Sequence, residues 1–180
     1  HNDRPELRAF LVNSKTEYEF ISKNTDIQPV LNRNEWDVIA MDDLLNENPS
    51  ITHGINKWIA SIFGKEMKKG RAVRILDPAC STAEVLLSIY KNYNQAVELY
   101  GNDYSINMYA KSAKNFKKAG LDTRALSNYD AGDLAVIYES EFDLGLVRFL
   151  NWQVVPSKKE ALGLFKKVGE TIKGSGFIFV

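Results

Sequence analysis

Residues 74–88 read Arg-Ile-Leu-Asp-Pro-Ala-Cys-Ser-Thr-Ala-Glu-Val-Leu-Leu-Ser. A short apolar strand enters a turn of small residues, and an apolar-periodic helix follows. An α/β protein builds a nucleotide pocket this way, at the carboxyl end of a strand. Small side chains let the backbone approach a ligand closely. The helix that follows turns its unpaired N–H groups and positive dipole end toward the same point. A second carboxylate, Asp103, closes the next strand-like segment, where a ribose would lie.

Outward from this stretch, strands and helices alternate. Strands are expected at 73–76, 96–100, 123–127, 142–147 and 177–180, and helices at 83–93 and 105–119. Ser105 is placed to cap the second helix and Gly120 to stop it. Ser157-Lys-Lys-Glu160 reads as a capping box for a third helix carrying Leu162, Leu164, Phe165, Val168 and Ile172, with Gly174 and Gly176 ending it. Such alternation predicts an α/β fold, a three-layer and mostly parallel Rossmann-like sheet. Right-handed crossovers then bring the first turn, Asp103 and the end of the fourth strand to one edge.

The amino-terminal third has a different texture. It is polar, with scattered aromatics and short helical periodicities at 6–12, 17–22 and 34–45. Pro49-Ser50 breaks the chain, and Ser50 is a candidate cap for a helix over 51–63 with Ile55, Trp58, Ile59 and Ile62 as its apolar stripe. The expected division is a helical lid or extension at 1–63 and a nucleotide-binding domain at 64–180. Tyr18, Phe20, Trp36 and Trp58 are the aromatics a lid would close with.

Composition narrows the function. The chain has 180 residues, 44% of them hydrophobic, and 23 Lys and Arg balance 23 Asp and Glu. A neutral domain lacks the basic surface that nucleic acids and anionic membranes select. No apolar run approaches the roughly 20 residues a membrane helix needs. No signal peptide is visible, and the expectation from His1 is a start that is not the native one. One cysteine excludes an internal disulfide framework and a Cys-based zinc site, and no metal is expected. A reducing, cytoplasmic setting fits.

The turn excludes two nucleotide chemistries. Residues 77–83 contain no glycine, so the Gly-x-Gly-x-x-Gly pyrophosphate fingerprint of nicotinamide and flavin enzymes is missing, and no Gly-Lys-Ser/Thr follows for a P-loop. The turn instead resembles the first motif of class I S-adenosylmethionine methyltransferases, roughly Asp-x-Gly-Cys-Gly-Thr-Gly. Asp77, Cys80 and Thr82 match, and Ala79, Ser81 and Ala83 stand at the three glycines. Cys80-Ser-Thr-Ala-Glu84 is similar to the Cys-Ser-Thr-Gly-Glu variant of the chemotaxis-receptor methyltransferases. The resemblance continues through Leu99-Tyr-Gly-Asn-Asp103-Tyr-Ser105, Tyr129-Asp130-Ala131-Gly-Asp133-Leu134, Phe142-Asp-Leu-Gly-Leu-Val-Arg148 and Ile172-Lys-Gly-Ser-Gly-Phe177, in the family's order and spacing, over about 71–180.

The resemblance implies S-adenosylmethionine as cofactor. Asp103 would grip the ribose, with Tyr104 beside it; Asp130 and Ala131 would lie at the adenine; Asp77, Ala79, Cys80, Ser81, Thr82 and Glu84 would surround the amino-acid end. The ligand carries no phosphate, which suits Ala and Ser where a pyrophosphate needs Gly. Arg148, Phe149, Asn151 and Trp152, just past the fourth strand, would face the methyl acceptor, a small molecule or a protein carboxylate; Arg148 is also a candidate cofactor contact. Two departures stand out. Ala83 must keep a negative φ or strain is stored there. The family also adds an antiparallel hairpin after the fifth strand, so a truncated chain or a disordered tail is expected, leaving a sheet edge to be covered.

Each candidate also has a simpler role. Asp103 and Asp77 can serve as caps, Glu84 as a first-turn acid complementing the helix dipole, and Asp130 as a solvated loop acid. Cys80 reads as a small buried residue, His53 as a surface histidine, and the lysines at 111–118 and 158–167 as solvated faces. The alternative to an enzyme is a methyltransferase-like interaction module without catalysis. The acceptor and the oligomeric state stay open.

Overall fold

A computed structural model describes residues 49–147 and 158–179. Five strands form one parallel sheet: β1 (Val73–Asp77), β2 (Val97–Asn102), β3 (Leu126–Ser127), β4 (Phe142–Leu146) and β5 (Ile172–Phe179), in the order β3-β2-β1-β4-β5. The helices are α1 (Pro49–Lys68), α2 (Glu84–Tyr93), α3 (Ile106–Lys118), α4 (Leu134–Ile137) and α5 (Lys158–Glu170). The three-layer Rossmann-like architecture expected from the alternation is the one formed.

One face of the sheet carries the larger core. Ile55, Ile59 and Phe63 of α1, Val85, Leu86 and Ile89 of α2, and Phe116 of α3 pack on Val73, Ile75, Leu99, Leu144 and Leu146. The other face is covered by α4 and α5. Leu134 packs there with Leu76, Phe142 and Ile172, and Val168 with Val147. Burying each of these large side chains contributes about 1.5–3 kcal/mol. Gly101 permits the close packing of β3, the turn after β1 and α2 around β2, since a Cβ there would lie 2.8 Å from Leu126 Cδ2, 2.9 Å from Cys80 Sγ and 3.1 Å from Leu86 Cδ1.

Several boundaries differ from expectation. α1 begins at Pro49, the first-turn position where a missing N–H costs nothing, so Ser50 lies inside the helix and is not its cap. It runs past residue 63 to Lys68 without interruption, and Gly70 at φ 80° supplies the left-handed stop. Trp58 meets Phe177 and Phe179 edge-on at centroid distances of 6.4 and 5.2 Å, so its ring belongs to the packing of α1 on β5 and not to a lid. Residues 123–125 form a 3-10 turn, and β3 shrinks to two residues. α5 ends at Glu170; Ile172 opens β5, and Gly174 and Gly176 lie within that strand. Pairing jumps from Phe142↔Ile172 to Leu144↔Phe177, so residues 173–176 form an irregular bulge. Tyr18, Phe20, Trp36 and the helices expected before residue 49 lie outside the described residues.

The amino-terminal edge of the sheet carries an ion network. Asp143, only 4% exposed, accepts Arg71 Nη2 at 2.6 Å and Lys173 Nζ at 2.9 Å on Oδ1, and the Arg74 amide at 2.9 Å on Oδ2. The Arg74 side chain reaches Glu141 at 2.9 Å and Tyr100 Oη at 3.0 Å, lying over the Tyr100 and Phe142 rings. Among the described residues, no helix is long and apolar enough to cross a membrane, and no group of three His, Cys, Asp or Glu is placed to hold a metal.

Candidate functional site

The chain leaves β1 for β2 and β3 on one side, then returns to place β4 on the other. The resulting switch point, at the carboxyl ends of the strands, is where open α/β sheets hold ligands. Four chain segments converge along this edge: the turn after β1, the β2–α3 junction, the loop after β3, and Val147 at the end of β4.

The turn after β1 keeps a glycine-type backbone without glycine. Ser81 has φ 51° and Ala83 φ 65°, both in the left-handed region. Each such residue stores about 1–2 kcal/mol. The branch in which Ala83 keeps a negative φ is therefore not the one taken. The methyls that replace hydrogens are absorbed by the protein: Ala83 is 1% exposed and joins the core with Val85 and Leu86, and Ala79 packs against Val147 and Val168. Ser81 is half-buried, its Oγ 3.5 Å from Met108 Sδ. Cys80 is buried, as a small core residue should be.

The strain yields a test. Ser81→Gly should stabilise the chain by about 0.5–1 kcal/mol, the relief of strain exceeding the added freedom of the unfolded chain. Ala83→Gly should be nearly neutral, because it also removes a buried methyl worth about 0.8 kcal/mol. Urea midpoints order the two variants, and a destabilised Ser81→Gly contradicts the stored strain.

Asp77 is fully buried, and its Oδ1 accepts the Ala79 amide at 3.2 Å. Its carboxylate thus folds back to shape the turn. Asp103 is aimed at the same turn. Its Oδ2 accepts the Ser81 amide at 2.7 Å and its Oδ1 the Ser105 amide at 2.9 Å. The capping role belongs to Ser105, whose side chain accepts from the Met108 amide at 3.2 Å. Asn115 Nδ2 donates to the Thr82 carbonyl at 3.0 Å, tying the turn to α3. Glu84 occupies the first turn of α2 and is half-buried.

Beyond β3, Asp130 is exposed and accepts the Gly132 amide at 2.7 Å, starting a 3-10 turn at Ala131. Tyr104 and Tyr129, at the ends of neighbouring strands, are 42% and 52% exposed. They are the chain neighbours of Asp103 and Asp130. The structure thus brings Ala79, Cys80, Ser81, Thr82, Glu84, Asp103, Tyr104, Asp130 and Ala131 to one edge. Arg148, Phe149, Asn151 and Trp152 lie outside the described residues.

Two asparagines escaped the sequence reading. Asn128 Nδ2 donates to the Asp103 carbonyl at 2.6 Å and the Tyr104 carbonyl at 3.0 Å, fixing the β2–α3 junction. Asn102 is wholly buried and bridges the turn after β1 to the loop after β3. The available signal was an amide at the end of an otherwise apolar strand, directly before the acid.

Comparison with known proteins places the fold. No protein-family model matches the chain, and no curated protein matches it. Solved structures do. A SAM-dependent methyltransferase from Thiobacillus denitrificans, in complex with S-adenosyl-L-homocysteine, superposes with TM-score 0.55 at 11% identity, covering 83% of this chain and 55% of that one. The chain has the Rossmann-like methyltransferase fold. A second such enzyme, from Geobacter sulfurreducens and also in complex with S-adenosyl-L-homocysteine, gives TM-score 0.55 at 10% identity, covering 79% and 53%. The [4+2]-cyclase SpnF gives 0.51 at 23%, covering 60% and 38%. The chain therefore spans 38–55% of the length of these structures. A fold shared by methyltransferases and a cyclase does not by itself fix a reaction.

Proposed function

We propose that the chain is the cofactor-binding part of an S-adenosylmethionine-dependent methyltransferase acting on a small molecule or a protein carboxylate. One observation carries this reading. The turn after β1 holds two non-glycine residues in glycine conformations, and the Asp103 carboxylate rests on its Ser81 amide. Strain of this kind persists where the backbone shape is used. The Thiobacillus and Geobacter enzymes that share this fold are in complex with S-adenosyl-L-homocysteine.

The residues present fit that ligand. The methyl of Ala83 is taken up by the core and that of Ala79 packs against Val147 and Val168, so the protein itself accommodates both. Asp103 accepts the ribose hydroxyls as charge-assisted hydrogen bonds. Asp130 and Ala131 meet the adenine, with the rings of Tyr104 and Tyr129 flanking it. The amino-terminal end of α2, the positive end of its dipole, meets the carboxylate of the amino-acid end. The cofactor supplies a methyl carbon already activated by its sulfonium, so the chain's share is to position the reactants and exclude water. A base is needed only for an acceptor that arrives protonated. Arg148, Asn151 and Trp152, which follow β4 in the sequence, are the candidates for the acceptor side, and Arg148 suits a carboxylate as in the chemotaxis-receptor enzymes that the Cys80-Ser-Thr-Ala-Glu84 run resembles. A reducing, cytosolic compartment suits the lone buried thiol of Cys80.

Titration calorimetry of the chain with S-adenosyl-L-homocysteine tests the reading. A dissociation constant near 100 µM is expected, and at 1 mM ligand this adds about 1.4 kcal/mol of stability. The melting temperature then rises by roughly 3–6 °C. No heat and no thermal shift at millimolar ligand would transfer the fold to the non-catalytic interaction module.

A further inference from the structure

β3 pairs with β2 over only Leu126 and Ser127. Past Ser127 the chain has no strand ladder to hold it, yet there it must present Tyr129, Asp130 and Ala131. Asn102 replaces the missing ladder. Its Oδ1 accepts the Tyr129 amide at 2.9 Å, and its Nδ2 donates to the Tyr129 carbonyl at 3.0 Å. The side-chain amide thus pairs with both main-chain groups of Tyr129, as a neighbouring peptide unit would.

The same side chain reaches two further segments. Its Oδ1 also accepts Ser127 Oγ at 2.8 Å, and its Nδ2 also donates to the Pro78 carbonyl at 3.0 Å. The Asn102 main-chain carbonyl accepts the Cys80 amide at 2.8 Å. All four hydrogen-bonding capacities of the amide are used. A fully buried amide is costly unless every partner is met, and an apolar side chain would fill a strand end without that demand. The bonds are directed at the loop after β3 and at the turn that carries Ser81.

We propose that Asn102 is a positioning residue that fixes the Tyr129–Asp130 loop against the turn after β1, and so sets how the adenine amino group is recognised. The proposal rests on the cofactor reading above. Asn102 touches no ligand; it acts through Asp130, two positions after Ser127's neighbour in the chain and one after Tyr129.

The test compares S-adenosyl-L-homocysteine with S-inosyl-L-homocysteine, which carries an oxygen in place of the 6-amino group. Calorimetry on the chain gives the ratio of the two dissociation constants. The wild type should prefer the amino compound about tenfold, the worth of one hydrogen bond to a carboxylate. Asn102→Ala should bring that ratio close to one. Ser127→Ala removes one of the four bonds without emptying the core; it should lower the ratio about threefold, and it decides the matter if Asn102→Ala does not fold. Asp143→Asn, at the far edge of the sheet, serves as the control for lost stability and should leave the ratio at its wild-type value. A role in stability alone would weaken both ligands equally. An unchanged ratio in Ser127→Ala and any folded Asn102→Ala overturns the proposal, as does a wild type that binds both ligands alike. A wild type that binds neither overturns the cofactor reading instead.

Discussion

Asp103→Ala is expected to weaken S-adenosyl-L-homocysteine binding by at least 100-fold. The backbone holds the carboxylate at both oxygens: the Ser81 amide donates to Oδ2 and the Ser105 amide to Oδ1. These orient the group at the lip of the turn, so a ligand meets it already placed. Two ribose hydroxyls donating to the charge are worth about 1.5–3 kcal/mol each. Losing both removes roughly 3–6 kcal/mol, of which even the lower end is about 100-fold in affinity. Asp103→Asn keeps one acceptor oxygen and should fall between the variant and wild type. Calorimetry on the folded variants reads the effect. An Asp103→Ala affinity within threefold of wild type would leave the carboxylate with its backbone duties alone.

The part of this site legible in the sequence is the part built from contiguous residues. Arg74 to Glu84 carry strand, turn and helix start within one window, and the apolar run before the turn and the periodic run after it fix both elements. Ser105 and Gly120 work the same way, each signalling a helix end from its own chemistry, and both behave as read. The sign of φ at Ala83 was not legible, because alanine carries no preference for a positive value; the packing of its methyl among Val85 and Leu86 holds it there. Ile172 misled for the opposite reason. Its spacing from Leu164, Phe165 and Val168 continues the helical stripe, but the Thr171 hydroxyl and amide both turn back to the Val168 carbonyl, at 2.7 and 3.0 Å, and close the helix before it. Asn102 was the least legible, since its meaning depends on Pro78, Ser127 and Tyr129, which only the folded sheet brings together. Local rules thus recover elements and caps, while a polar bridge between strand ends needs the tertiary structure.

Asp143→Ala should cost about 2–3 kcal/mol of stability at neutral pH while leaving ligand affinity within about twofold, for the network sits at the opposite edge of the sheet from the turn. Removing the carboxylate leaves the Arg74 amide without its acceptor and takes the shared partner from Arg71 and Lys173. Breaking a fully buried pair costs about 3–5 kcal/mol. Here the side chains of Arg71 and Lys173 are 53% and 34% exposed and can turn to water, and Arg71 also lies 3.7 Å from Glu66, so the lower range applies. The same contacts set a pH dependence. Burial alone would raise the Asp143 carboxyl, but the Arg74 amide, Lys173 and Arg71 outweigh it and hold the group below the usual carboxylate range. The unfolded chain therefore takes up this proton first, near pH 4. Above that value the contribution is fully present; as pH falls from there through the lower folded value, the unfolded state binds the extra proton and stability is lost. Urea unfolding at pH 7 and at about pH 3.5 should show wild type losing more stability than Asp143→Ala between the two. Equal losses would mean that other carboxylates carry the acid sensitivity, and that the three cationic and amide partners of Asp143 contribute packing without charge.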